Sequence, residues 1–197
     1  MKIIIISGTP GTGKTTVSKK IAAIIGAEVI SLNEIVISKQ FTLEYDKKRD
    51  TYIVDFESLH HYILKQIEKL KADMIKFLII EGHFSDFIPD DLIDLAIILR
   101  SNPDILYKRL EKRGYKTEKI IENVQAEILG NCVNYMIQKK IKTPILEIDT
   151  SNRNIYDLAQ IIIELINNGK NLEEYVIGKI DWLEDLSDNN RLKEFFD

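Results

Sequence analysis

The sequence predicts an α/β fold: a five-stranded parallel sheet with helices on both faces. Two observations predict it. Short runs rich in Ile, Leu and Val alternate with longer helix-like stretches along most of the chain, as strands buried on both faces and their crossover helices should. The first of these runs leads directly into the glycine-rich turn Gly8-Thr9-Pro10-Gly11-Thr12-Gly13-Lys14-Thr15 and then a helix.

The expected strands are Lys2–Ser7, 27–31, Phe77–Glu81, 95–99 and Ile145–Asp149. The helices between them carry end signals. Gly26 closes Lys14–Ile25 as a left-handed cap. Asp55 heads a helix over 56–70, where Phe56, Leu59, Ile63, Ile67 and Leu70 recur at three- and four-residue spacing. Asn102-Pro103 reads as an N-cap followed by proline at the first helical position, and Gly114 closes that helix. Thr117 can cap one long helix to about Lys140, and an amphipathic helix over 155–167 ends at Gly169. Residues 31–54 are less regular and predict a small helical excursion off the sheet.

With 197 residues the chain suits one buried domain, expected over 1–169 and followed by an acidic, amphipathic segment over 170–197. That last segment holds eight acids against four bases, and the rest of the chain is formally neutral. Such a balance gives no polycation signal for nucleic acid. The apolar runs at 3–6 and 77–80 fall far short of a membrane span, and the first residues lack a cleavage pattern for a leader. Cys132 stands alone, which excludes a disulfide framework and a cysteine-rich zinc site and fits a reducing, cytoplasmic setting. Tyr175, Val176, Ile177, Ile180, Trp182 and Leu183 imply that part of the acidic segment is buried somewhere.

The turn satisfies G-x-x-x-x-G-K-[ST] in full, in its proper strand-to-helix context. It predicts a P-loop, in which backbone N–H groups and the positive end of the following helix cradle phosphates. Lys14, at a helix start expected to face solvent, should reach the β- and γ-phosphates of ATP, and the Thr15 hydroxyl should ligate Mg²⁺. A dinucleotide-binding loop is disfavoured by the glycine spacing and by Lys-Thr. Glu81, at the end of a buried strand, is placed to assist the metal. His83 either orients water or the transferring phosphoryl group, or simply hydrogen-bonds within its loop. Arg109 and Arg113 share a helical face, where guanidinium forks suit a phosphoryl group as well as they suit a solvated surface.

Several segments together resemble the small archaeal family named putative adenylate kinase and its eukaryotic relative, adenylate kinase isoenzyme 6. They are the P-loop with Thr16, Tyr45-Asp46…Asp50…Val54-Asp55, Glu81-Gly82-His83, Leu99-Arg100, and Arg113-Gly114-Tyr115…Lys119-Ile120…Glu122-Asn123…Ala126-Glu127-Ile128. The resemblance implies a broad-specificity nucleoside monophosphate kinase with ATPase activity, associated with small ribosomal subunit maturation through a platform ribosomal protein. It also implies that Gly11, Gly13, Lys14, Thr15 and Thr16 hold the ATP phosphates and that Glu81 and His83 fill the acid-x-His positions. Arg113 would contact ATP from a lid over 112–122, Arg153 would lie near the adenine, and 31–54 would build the monophosphate site. Two departures stand out. His83-Phe84-Ser85 replaces the Gly-x-Pro-Arg continuation of larger adenylate kinases, and Ile37 replaces an arginine of isoenzyme 6, leaving Arg49 alone in that segment.

Three functions compete on this basis: a monophosphate kinase, an ATP-switched ribosome assembly factor with incidental transfer activity, and a small-metabolite kinase of shikimate or gluconate type. The last lacks evident substrate-binding signatures.

Overall fold

The computed structural model describes residues 1–38, 41–47, 51–140, 142–169 and 171–196. Five strands, β1 (Lys2–Ser7), β2 (Glu28–Ser31), β5 (Phe77–Glu81), β6 (Leu95–Arg100) and β7 (Ile145–Asp149), form one sheet in the order β2-β5-β1-β6-β7. Every neighbouring pair is parallel, and the order reverses about β1, beyond whose carboxyl end sheets of this kind place their ligands.

Alternation along β1 divides the core. Ile4 and Ile6 face Val17 and Ile21 of α1 (Lys14–Ile25) and Leu158 and Ile162 of α7 (Ile155–Asn168). Ile3 and Ile5 face Leu59, Ile63 and Ile67 of α3 (Phe56–Ala72), together with Val133 and Met136 of α6 (Asn131–Gln138). The caps form as the sequence implies. Asp55 accepts from the Ser58 N–H, Asn102 from the Asp104 N–H, and Gly26 and Gly169 are left-handed.

A third apolar cluster lies beside the sheet. Leu106 and Leu110 of α4 (Pro103–Lys112) and Ile120, Val124 and Ile128 of α5 (Thr117–Ile128) enclose Leu186 of α8 (Trp182–Asp188) and Phe195 of α9 (Lys193–Phe196). Trp182 and Leu192 pack on its border. The acidic segment is thereby folded onto the body. Gln125 donates to the Phe195 carbonyl at 2.6 Å, Arg191 pairs with Asp104 at 2.8 Å, and the Glu147 N–H donates to the Tyr175 carbonyl at 2.7 Å along the edge of β7.

Two expectations need correction. The helix anticipated from Thr117 to Lys140 is two helices, α5 and α6, broken at a left-handed Gly130. Gly130 has φ 63°, a conformation that other residues rarely adopt, so the glycine itself marks the break. The N-cap is Lys116, without a side-chain cap bond, and Thr117 is the first helical residue. Residues 31–54 are also not simply helical. A short helix, α2 (Leu32–Ile37), precedes an antiparallel pair, β3 (Thr42–Asp46) and β4 (Thr51–Val54), clasped by Tyr45 opposite Tyr52 with ring centroids 5.0 Å apart. β-branched and aromatic residues suit such a ribbon. No helix among the described residues is long and apolar enough to cross a membrane.

Candidate active site

The glycine-rich turn hangs from the carboxyl end of β1 and is pressed into place from two sides. Gly8 has φ 137°, and a Cβ there would stand 2.3 Å from the Leu99 carbonyl of β6. Gly11 abuts α4, where a Cβ would fall 2.6 Å from Leu106 Cδ1. Neither position admits a larger residue without displacing the turn. Gly13 precedes α1 in a left-handed conformation, with no side-chain cap and no acid in the first helical turn. The opening N–H groups of α1 therefore lack a competing carboxylate, as an anion site requires.

Lys14 corrects an expectation. Its side chain does not face solvent: it is 4% exposed and Nζ donates to the Thr9 carbonyl at 3.1 Å. Burial lowers its pKa, opposed by the negative charges of Glu81 and Glu127.

Glu81 ends β5 with no exposed surface. Its Oε1 accepts from the Thr15 hydroxyl at 3.0 Å and the Ser31 hydroxyl at 2.5 Å, while Oε2 is buried with no partner among the described residues. An unpaired buried carboxylate oxygen is costly. Beside the Thr15 hydroxyl it supplies the oxygen-only donors that Mg²⁺ prefers. The Thr15 hydroxyl and the free Glu81 oxygen fit a magnesium ion that would take its other ligands from water and phosphate.

His83 follows two residues later. Its Nδ1 lies 3.2 Å from Asn33 Oδ1, so the ring donates there and Nε2 is left to accept. The residue is exposed, with the protein around it partly desolvating the ring. That desolvation, with the charges of Lys14 and Lys119, lowers its pKa to about 4. It is neutral at pH 7. Phe84 stands against it at 4.7 Å between ring centroids, backed edge-on by Phe56 at 5.7 Å.

The structure therefore brings Lys14, Thr15, Glu81 and His83 together. Thr16 is exposed on α1, Arg113 is exposed at the end of α4, and Arg153 is exposed in the loop after β7. None of the three has a side-chain hydrogen bond among the described residues. Arg113 is near enough for its charge to act on Lys14. Residues 111–118, at the corner between α4 and α5, are all exposed. Arg109 behaves differently from its neighbour: its guanidinium donates to the Thr150 carbonyl at 2.7 Å, Thr150 Oγ1 at 3.1 Å and the Ser151 carbonyl at 3.3 Å. It pins the loop that carries Arg153 instead of pointing at a phosphate. Arg49 and Asp50 lie outside the described residues.

Four polar residues around the site had no role in the sequence analysis. Ser31 shares the Glu81 carboxylate with Thr15, and Thr9, Arg100 and Glu127 form a buried network behind the turn. Thr9 occupies a variable position of the motif. Arg100 and Glu127 sit within segments of the resemblance, but only their meeting in space reveals what they contact.

Comparison with known proteins agrees with this geometry. The family model described as an AAA domain matches residues 4–130. The chain is 41% identical over 181 residues to a putative adenylate kinase of Methanocaldococcus jannaschii, covering 92% of this chain and 93% of that protein. It is 35% identical over 188 residues to a putative adenylate kinase of Methanosarcina acetivorans, covering 92% and 98%. Among solved structures, shikimate kinase from Acinetobacter baumannii superposes with a TM-score of 0.61 at 18% identity, over 87% of this chain and 96% of that one. Deoxyadenosine kinase from M. mycoides gives 0.54 at 18% identity, over 85% and 100%. At such identity these two establish the fold, that of P-loop kinases, and no more. With the turn, the parallel sheet and these relatives taken together, the chain belongs to the AAA-domain family and, within it, to the archaeal group named putative adenylate kinase.

Proposed function

We propose that the protein is a broad-specificity nucleoside monophosphate kinase, converting ATP and a nucleoside monophosphate into ADP and a nucleoside diphosphate, with an accompanying ATPase activity. The observation that carries this reading is the buried Glu81 carboxylate, held by the Thr15 hydroxyl through one oxygen and free on the other, at the foot of the phosphate-binding turn.

Gly11, Gly13, Lys14, Thr15 and Thr16 hold the ATP phosphates, with Lys14 released from Thr9 to the β,γ-oxygens. Thr15 and Glu81 would hold Mg²⁺, whose chemistry when bound would be to neutralise charge on those phosphates. An oxygen of the monophosphate forms a bond to the γ-phosphorus as the bond to the ADP oxygen breaks, and the electron pair leaves with ADP. That nucleophile is already anionic, so no base is needed and the side chains contribute placement and charge. Arg113 reaches the transferring group from the corner between α4 and α5, at the start of the lid expected over 112–122, and Arg153 lines the adenine side. The acceptor lies against residues 31–54 and the aromatic wall of Phe84 and Phe56. Ring stacking discriminates weakly among bases, in keeping with broad specificity.

One observation favours a second reading, an ATP-switched assembly ATPase acting with a platform ribosomal protein of the small subunit. Neutral His83 offers Nε2 as an acceptor, and water, unlike a phosphate, must lose a proton as it attacks.

Purified protein with ATP and Mg²⁺, each monophosphate in turn and a water-only control separates the two. Diphosphate formation well above hydrolysis is expected, and Lys14→Ala should reduce it by ~10²–10³ in kcat, the usual loss for one preorganised donor. Hydrolysis alone, stimulated by a basic ribosomal protein, would replace the kinase reading with the second.

A further inference from the structure

Four buried polar side chains tie the phosphate-binding turn to the far edge of the sheet, and the proposed reaction uses none of them. Thr9 is the hub. Its carbonyl accepts from Lys14 Nζ at 3.1 Å, from the Thr12 hydroxyl at 2.9 Å and from the Thr12 N–H at 3.2 Å. Its own hydroxyl donates to Glu127 Oε2 at 2.5 Å, across 118 residues of chain. The other oxygen of Glu127 accepts from Arg100 Nε at 2.7 Å and the Ser101 N–H at 3.0 Å. Arg100 continues to the Glu127 carbonyl at 2.8 Å and to Glu147, whose second oxygen accepts from the Gly178 N–H at 2.7 Å. Thr9, Arg100, Glu127 and Glu147 are 2%, 3%, 1% and 3% exposed.

Burying two carboxylates around one guanidinium is an expensive way to fill space, since apolar side chains of similar volume usually stabilise as well or better. What the network supplies that apolar residues cannot is direction. Every oxygen of Glu127 is committed, and the one aimed at the turn fixes the residue whose carbonyl meets Lys14. We propose that Glu127, held by Arg100, is a positioning residue that sets the geometry of the phosphate-binding turn through the Thr9 hydroxyl. The inference rests on the turn being the ATP phosphate site, and extends it to residues on β6 and at the carboxyl end of α5.

The test measures binding of a fluorescent ATP analogue with Mg²⁺ to the full chain, with no acceptor present. Thr9→Val keeps the shape and removes the hydroxyl, and should raise Kd about tenfold. Thr9→Ser should bring it back to within about threefold of the parent. Glu127→Gln should weaken binding similarly, and the double variant Thr9→Val/Glu127→Gln should be no more than about twofold worse than the weaker single variant, because both remove the same link. A merely structural role predicts less folded protein whose remaining folded fraction binds ATP normally. That result, Thr9→Val within about twofold of the parent, or multiplying effects in the double variant would each overturn the proposal. If Glu127→Gln does not fold, the Thr9→Val and Thr9→Ser pair decides. Normal ATP binding without transfer to any monophosphate would count against the proposed reaction alone, and leaves this test intact.

Discussion

Behind the phosphate-binding turn, Thr9, Arg100, Glu127 and Glu147 are buried and mutually bonded. In front of it, Thr16, Arg113 and Arg153 are exposed and make no side-chain hydrogen bond among the described residues. The rear is ordered before any ligand arrives, so the conformational entropy of fixing the turn is met during folding. In the proposed reaction the front would order its side chains on a bound phosphate, at a cost of about 0.5–1.5 kcal/mol for each long side chain immobilised. The contrast teaches a division of labour within the proposed reaction: a preorganised cradle would receive the ATP phosphates, whereas closure over the reacting group would fall to exposed side chains with no hydrogen bond among the described residues.

The largest effect should come from breaking the rear. Removing residues 170–197 strips Leu186 and Phe195 from the cluster on α4 and α5, and takes away the Gly178 N–H that Glu147 accepts. Two large apolar side chains at ~1.5–3 kcal/mol each give an expected loss of at least about 3 kcal/mol, read from urea unfolding. A truncated chain as stable as the parent would mean that the strands hold the rear unaided and that the segment is a passive extension.

The front should respond in turnover and not in stability. Arg113→Lys keeps the charge but loses the planar fork that can grip two phosphate oxygens. About a tenfold fall in kcat is expected, with the thermal midpoint nearly unchanged because the residue is exposed. Unaltered kinetics would make Arg113 a surface residue and remove the corner at 112–122 from the site.

The smallest effect sharpens the boundary between the two regions at His83, which is anchored by Asn33 yet exposed. His83→Ala should depress hydrolysis by about tenfold while transfer to a monophosphate stays within about threefold, since only water needs a proton acceptor. Equal losses in both reactions would assign His83 a shared structural role.

Several local features were legible because they depend on neighbours in sequence. Asp55 and Asn102 cap the helices they precede, and Gly26 and Gly169 close theirs, because a cap is a contact over two to four residues. The ribbon of β3 and β4 was missed despite the β-prone residues of 42–45 and 51–54. Those stretches are four residues long each, too short to outweigh the helix-like residues just before them. The long helix was misjudged at Gly130, a left-handed glycine like Gly26 and Gly169, because the apolar period continues on both sides of it into α6.

The sequence by itself determined the five strands of the parallel sheet, most helix ends and the phosphate-binding turn, since hydrophobic period, capping and a contiguous eight-residue motif are written along the chain. Tertiary structure alone decided that Lys14 is buried against Thr9, and that Arg109 serves a loop while Arg113 stays free. It alone decided that the buried Glu81 carboxylate keeps one oxygen without a partner among the described residues, and that Thr9 is held by a glutamate 118 residues away. The physical reason is that burial and hydrogen-bond partnership belong to pairs of residues brought together by packing, and no spacing in one chain encodes which distant partner a polar side chain will meet.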